Sequence, residues 1–173
     1  STGAVGYILQ ALGKKYTLIN EGNIPEKFGC LPGEQPIVNF RAEPPAAMYD
    51  RIITVDCADL DRVGEVRRLF SEHALLLNID HHPTNDHFGN YNVVQPEAAA
   101  TVEIIYDLAA ELDIPWSKPL ATCIYAGLLT DTGGFRYYNT TPNVMRIAER
   151  MLSFGVDGAA LAAQLLETMT YEQ

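Results

Sequence analysis

The sequence predicts an α/β fold: a mostly parallel sheet flanked by helices, with a helical C-terminal layer. Three observations carry this. Short β-branched or apolar runs alternate with helical patterns through the first half, most clearly at residues 51–56 and 74–80. Both of those runs end in an acid. From Glu97 onward the strand pattern gives way to helical periodicity, with apolar residues three and four apart.

Ser1 and Thr2 can cap a first helix, in which Val5, Ile8, Leu9 and Leu12 fall at helical spacing and Gly13 supplies the stop. Residues 15–20 read as a strand. Residues 22–45 are rich in Gly and Pro, which interrupt regular structure; they leave room for a short helix near 25–28 and a strand near 36–40. Residues 51–56 form a strand and 61–70 a short helix. Residues 74–80 are a buried strand, 86–90 a turn region and 91–94 a short strand. Residues 98–112 read as a long helix with Val102, Ile105, Leu108, Ala109 and Leu112 on one face. Residues 118–129 form a second apolar helix, capped by Ser117. Residues 143–154 form a third, carrying Val144, Ile147, Met151 and Leu152 and stopped by Gly155. Asp157 caps a last helix that runs to about Thr168.

At 173 residues the chain fits one domain, and its composition is that of an ordinary globular protein. With 12 basic against 22 acidic residues it carries a formal charge of −10, which argues against gripping a long nucleic acid through a broad basic face. An enzyme that captures anions with bound metal stays open. No apolar run reaches the roughly 18–20 residues that span a bilayer, so no membrane partner is expected. Cys30, Cys57 and Cys123 are odd in number and contain no Cys-x-x-Cys pair, which points to reduced thiols and a cytoplasmic setting. The start at Ser1-Thr2-Gly3 shows neither an initiating Met nor a signal-peptide pattern.

The residues with chemistry in them cluster. Ile79, Asp80, His81, His82 and Pro83 follow one another at the end of an apolar strand, the edge at which open α/β sheets bind ligands. Carboxylate and imidazole donors together suit Mn²⁺, Zn²⁺ or Fe²⁺. Asp56 ends the preceding strand, 24 residues earlier. Neighbouring parallel strands bring such acids to one edge, where a carboxylate can bridge two ions. Asp59 reads as a helix cap, and Cys57 as a buried inert thiol with zinc ligation as the lesser alternative. The third signal is residues 127–135, where an apolar helix runs into Asp131 and then Gly133 and Gly134, which allow a tight turn around a site. Arg136 next to it can contact a phosphate or make a surface salt bridge. Asn85 reads as a turn residue that can also orient the histidine loop. His73 falls at the opposite end of its strand, and His87 reads as a surface residue. Tyr137 and Tyr138, in a strand-like segment, read as packing with base stacking as the alternative. Trp116 reads as packing between helices.

Taken together these residues resemble the DHH phosphoesterases. The likeness rests on an aspartate ending a strand (Asp56), the Asp-His-His signature (Asp80, His81, His82) and a later aspartate in a Gly-Thr-rich turn (Asp131), in that order. The flanks are similar to the nano-RNase and 3′-phosphoadenosine 5′-phosphate (pAp) phosphatase branch, near RecJ-like exonucleases. They are Arg62 after Asp56 and Cys57, residues 98–103, residues 132–136 and residues 139–142. The resemblance implies two Mn²⁺ ions sharing a bridging aspartate and a bridging water. It implies Asp56 as the bridge, His81 and Asp131 as further metal ligands, and His82 facing the scissile phosphate. It also implies Asp80 as a support for the histidines, belonging with His82 to the catalytic pair. Arg136 is expected to join His82 in binding substrate. Two ions supply about four positive charges, so a chain of net charge −10 can still hold an anionic substrate.

The resemblance also sets expectations by what the sequence lacks. The family's first motif, His-x-x-Pro-Asp-x-Asp, and its C-terminal substrate domain do not occur in it. Residues 1–173 are therefore expected to be a DHH domain cropped at both ends, binding at most one metal ion and that weakly. The implied activity is metal-dependent hydrolysis of a short oligoribonucleotide or a small nucleotide such as pAp. Long duplex is not expected as a partner, and a homodimer stays open as one assembly. The alternatives are a family II inorganic pyrophosphatase, or a non-catalytic domain that keeps the fold and binds a nucleotide or a partner.

Overall fold

The computed structural model describes residues 1–33 and 35–171, with side chains left aside at Cys30 and 167–171. The residues group into two compact units. One comprises Ser1–Tyr16, Pro25–Glu34 and Ala98–Gln173; the other comprises Thr17–Ile24 and Gln35–Glu97.

The second unit holds the sheets. Strands β1 (Ile19–Asn20) and β2 (Val38–Asn39) pair in parallel. Both are shorter than the expected strands at 15–20 and 36–40. Pro36 brings no N–H to a ladder, so regular pairing starts only beyond it. Strands β3 (Tyr49–Val55), β4 (Phe70–Asp80) and β5 (Tyr91–Val94) form the larger sheet, in that order and all parallel. Thr54 stands opposite Asn78, which stands opposite Asn92, and Val55 stands opposite Ile79. The two-residue period puts Leu76, Asn78 and Asp80 on one face of β4.

The helix expected at 61–70 is instead a run of 3₁₀ turns over Leu60–Leu69, broken at Gly64 (φ 68°, ψ −147°). Its apolar residues, Leu60, Val63, Val66 and Leu69, recur every three positions, which is the period of a 3₁₀ helix rather than an α-helix, and Gly64 breaks the run. Asp59 caps it, Oδ1 accepting from Arg62 N at 3.0 Å. β4 accordingly starts at Phe70 rather than 74, and His73 lies inside the strand rather than ahead of it.

The other unit is helical: α1 (Thr2–Ala11), a 3₁₀ turn (Glu26–Cys30), α2 (Thr101–Glu111), α3 (Lys118–Asp131), α4 (Pro142–Ser153) and α5 (Gly158–Tyr171). α3 touches α1, α2, α4 and α5. Its sequence explains that place: Leu120, Ala121, Ile124, Leu128 and Leu129 are buried, so apolar side chains occupy most of its circumference. Gly127 lets α3 approach Val102 of α2 so closely that a Cβ would lie 2.6 Å from a Val102 methyl. Ser117, Thr141 and Asp157 cap α3, α4 and α5 through Leu120 N, Val144 N and Ala160 N. α2 begins at Thr101, three residues later than expected, because Ala100 is extended (φ −154°, ψ 152°). α3 runs on to Asp131, two residues further than expected. No helix among the described residues is long and apolar enough to cross a membrane. The fold is α/β with parallel sheets and a helical C-terminal half, as the alternation of patterns predicts.

Candidate metal centre

β3 and β4 end side by side, and the pairing continues one step further: Asp56 N donates to Ile79 O at 3.1 Å. Asp56 itself takes φ 59°. The left-handed region costs a non-glycine residue roughly 1–2 kcal/mol, least for Asp and Asn, and such outliers gather at functional sites. From this turn Asp56 Oδ1 stands 3.8 Å from His81 Nε2. The His81 and His82 rings lie 4.9 Å apart, centre to centre. Asp56, His81 and His82 each offer a donor atom, all within 4.8 Å of one another.

The donor set fits a divalent transition-metal ion. Ligand bonds of about 2.1 Å require donors roughly 3–4 Å apart, and the Asp56–His81 separation of 3.8 Å already satisfies this. One carboxylate with two imidazoles is a borderline set suited to Mn²⁺, Fe²⁺ or Zn²⁺. Asp56 is half-exposed, and both rings are partly so.

Asp80 is fully buried and is built into a polar network. Its Oδ1 accepts from His82 Nδ1 at 2.6 Å, and its Oδ2 accepts from Asn85 Nδ2 at 2.8 Å. Burial pushes the Asp80 carboxyl up. Hydrogen bonds from Asn85, from His82 and from the backbone N–H groups of His81 and His82 outweigh it and hold the group below its ordinary 3.8. Asp80 therefore stays ionised, and an ionised carboxylate only accepts, so the His82 proton sits on Nδ1 and leaves Nε2 for the site. Asp80 thus meets the His82 ring through Nδ1, and it meets His81 through the backbone N–H. Behind it, Asn78 Nδ2 donates to Asn85 Oδ1 (3.0 Å) and Asn92 Oδ1 (3.3 Å), and Thr54 Oγ1 donates to Asn78 Oδ1 (3.3 Å).

Cys57 follows Asp56. Burial, together with Asp56, Asp80 and Asp59, pushes its thiol up to about 11. It is neutral at physiological pH, in keeping with an inert thiol. Cys123 in the helical unit is also pushed up to about 11 by burial.

Asp131 and Arg136 belong to the helical unit. Asp131 is the exposed last residue of α3, and its carbonyl accepts from Asn139 Nδ2 at 3.0 Å. The chain then turns through three successive positive-φ residues, Gly133 (59°), Gly134 (77°) and Phe135 (64°). Glycine is required at 133, where a Cβ would lie 2.3 Å from the Tyr137 ring. Arg136 is exposed, with Nε donating to Gly133 O at 2.5 Å. Residues 132–139 are turns, so Tyr137 and Tyr138 do not lie in a strand-like segment. Trp116 stacks between Tyr106 and Phe154, the packing role its position suggests. Of the site residues named from sequence, Asp56, Asp80, His81 and His82 come together in the sheet unit.

Sequence reading passed over Asn78, Asn92 and Thr54 and took Asn85 first for a turn residue. One signal was available. Asn78 interrupts an otherwise apolar run on the same face as Asp80, and a buried polar residue at a core position needs partners.

Comparison with known proteins agrees with this geometry. Residues 1–128 match the family model described as the DHH family, N-terminal domain. The chain is 37% identical over 158 residues to the bifunctional oligoribonuclease and PAP phosphatase NrnA of Thermus thermophilus, covering 91% of this chain and 46% of that protein. It is 40% identical over 114 residues to the probable bifunctional oligoribonuclease and PAP phosphatase NrnA of Streptococcus mutans, covering 66% of this chain and 36% of that one. The crystal structure of an exopolyphosphatase-related protein from Bacteroides fragilis superposes with a TM-score of 0.85 at 25% identity, over 95% of this chain and 51% of its own. The chain thus spans roughly a third to a half of the length of these relatives. With its Asp-His-His signature at the end of a parallel strand and a family match over residues 1–128, the chain belongs to the DHH family.

Proposed function

We propose that this chain carries the metal-binding core of a phosphoesterase that hydrolyses short oligoribonucleotides or a small nucleotide such as pAp, in the cytoplasm. The observation that carries this is the Asp56–His81–His82 donor group, braced by Asp80, in a DHH family member. Relatives named for oligoribonuclease and PAP phosphatase activity supply the substrate class. The net charge of −10 supports a small substrate over a long nucleic acid.

Asp56 and His81 would hold the metal, Mn²⁺ being our choice within the divalent ions that suit the donors, and Asp131 is proposed as a further ligand. When bound, the metal supplies Lewis acidity and positive charge for phosphate-ester hydrolysis. His82 keeps its proton on Nδ1 against Asp80, so Nε2 can accept a proton or, once protonated, donate to a phosphoryl oxygen. Arg136, at the surface of its turn, is proposed to contact a substrate phosphate.

The test is turnover by the natural polypeptide that carries this sequence, with Mn²⁺, on pAp and on a diribonucleotide, with pyrophosphate as a comparison. Both nucleotides should be hydrolysed faster than pyrophosphate. His82→Ala should lower the rate 100-fold or more. Unchanged turnover in that variant refutes the role given to His82. Preference for pyrophosphate would favour the pyrophosphatase reading, and no hydrolysis at all would favour a non-catalytic binding domain.

A further inference from the structure

We propose that Asn85 is a positioning residue of this centre: its side-chain amide sets the Asp80 carboxylate, and through it the His82 ring, while tying together the two loops that carry the metal-binding group. The inference rests on the reading of Asp56, His81 and His82 as that group.

Asn85 is 8% exposed, and its amide makes four hydrogen bonds, the whole of its capacity. Nδ2 donates to Asp80 Oδ2 at 2.8 Å and to Cys57 O at 3.1 Å. Oδ1 accepts from Asn78 Nδ2 at 3.0 Å and from His87 N at 2.8 Å. The Cys57 carbonyl can only accept and the His87 N–H can only donate, so the amide has one orientation. A turn-forming asparagine needs only the bond to His87 N, two residues on. The other three bonds reach beyond the turn: one goes to the segment after β3 (Cys57) and two to the end of β4 (Asn78 and Asp80).

The consequence for the site follows from the two oxygens of Asp80. With Oδ2 engaged by Asn85, the carboxylate cannot rotate, and Oδ1 stays aimed at His82 Nδ1. That bond selects the Nδ1–H form of the ring and leaves the Nε2 lone pair unprotonated. The bond to Cys57 O, with Asp86 N donating to Ala58 O at 3.0 Å, fixes the 80–86 loop to the segment that follows Asp56. Removing the amide takes away one of the two side-chain donors to the buried Asp80 carboxylate and loosens its hold on the His82 ring.

The test uses metal-free protein labelled with ¹⁵N at histidine, observed by NMR at about pH 8, above the ordinary histidine range of about 6.5. His82→Ala assigns the signals. Wild-type His82 should show the Nδ1–H tautomer. Asn85→Ala and the isosteric Asn85→Asp should each shift part of the population to Nε2–H and weaken Mn²⁺ binding by about 10–100-fold in calorimetry. Wild-type His82 in the Nε2–H form would overturn the proposal without any variant. Variants that fold and keep both the Nδ1–H tautomer and wild-type Mn²⁺ affinity would also overturn it. Asn85→Asp keeps the side-chain shape and serves if Asn85→Ala does not fold. The tautomer is read without substrate, so an inactive protein whose tautomer still depends on Asn85 would refute the phosphoesterase reading and leave this role standing.

Discussion

Asp80 has no exposed surface, and its charge persists because two side chains and two backbone N–H groups donate to it. Its folded-state pKa lies below the unfolded 3.8, so its contribution to stability is complete above that value and is lost as pH falls through the lower, folded value. Asp80→Asn removes the titration and one acceptor. At neutral pH it should lower stability by about 1–3 kcal/mol. Below about pH 4 the wild type should lose stability more steeply than the variant. Urea unfolding across that range reads both slopes, and equal slopes would mean the carboxylate is not held by these donors. At this scale the sequence was readable where residue type alone signals chemistry: Asp56, Asp80, His81 and His82 could be named because acids and histidines seldom crowd together without cause. Asn78 and Asn85 could not be placed in the same way. Asparagine is common in turns, and its partners here depend on the register of three strands and on a loop returning to Cys57.

Among the elements, α3 shows how packing and local preference compete. Gly127 is a poor helix former, and alanine there would gain about 1 kcal/mol of helix propensity. The new methyl would lie 2.6 and 2.7 Å from the two Val102 methyls, far inside the roughly 3.5–4.0 Å of a good contact. The clash should win, so Gly127→Ala is expected to destabilise the helical unit by about 1–3 kcal/mol, seen as a lower Tm. A Tm at or above wild type would show that α2 and α3 can separate without loss. The helices from residue 98 onward were legible because apolar spacing and the caps at Ser117, Thr141 and Asp157 agree. The stretch from 60 to 73 was not. Its charged 3₁₀ turns imitate a polar helix, and β4 takes in His73 and Glu72 before its apolar run begins.

For the molecule as a whole, the order of Asp56, Asp-His-His and Asp131 was enough to point to the family later matched over residues 1–128. The division into two units was not visible, because their segments interleave: 17–24 and 35–97 interrupt a helical unit drawn from three separate stretches. Charge acts at this scale too. A chain of net charge −10 repels a phosphate ester at long range, so the positive charge that would hold one has to be concentrated at a single place. The account puts that place at Asp56, His81 and His82. Calorimetric titration of Mn²⁺ into the wild type, Asp56→Ala and His81→Ala tests this most directly. Saturable binding by the wild type and at least tenfold weaker binding by each variant are expected. Equal affinity in all three proteins would contradict it.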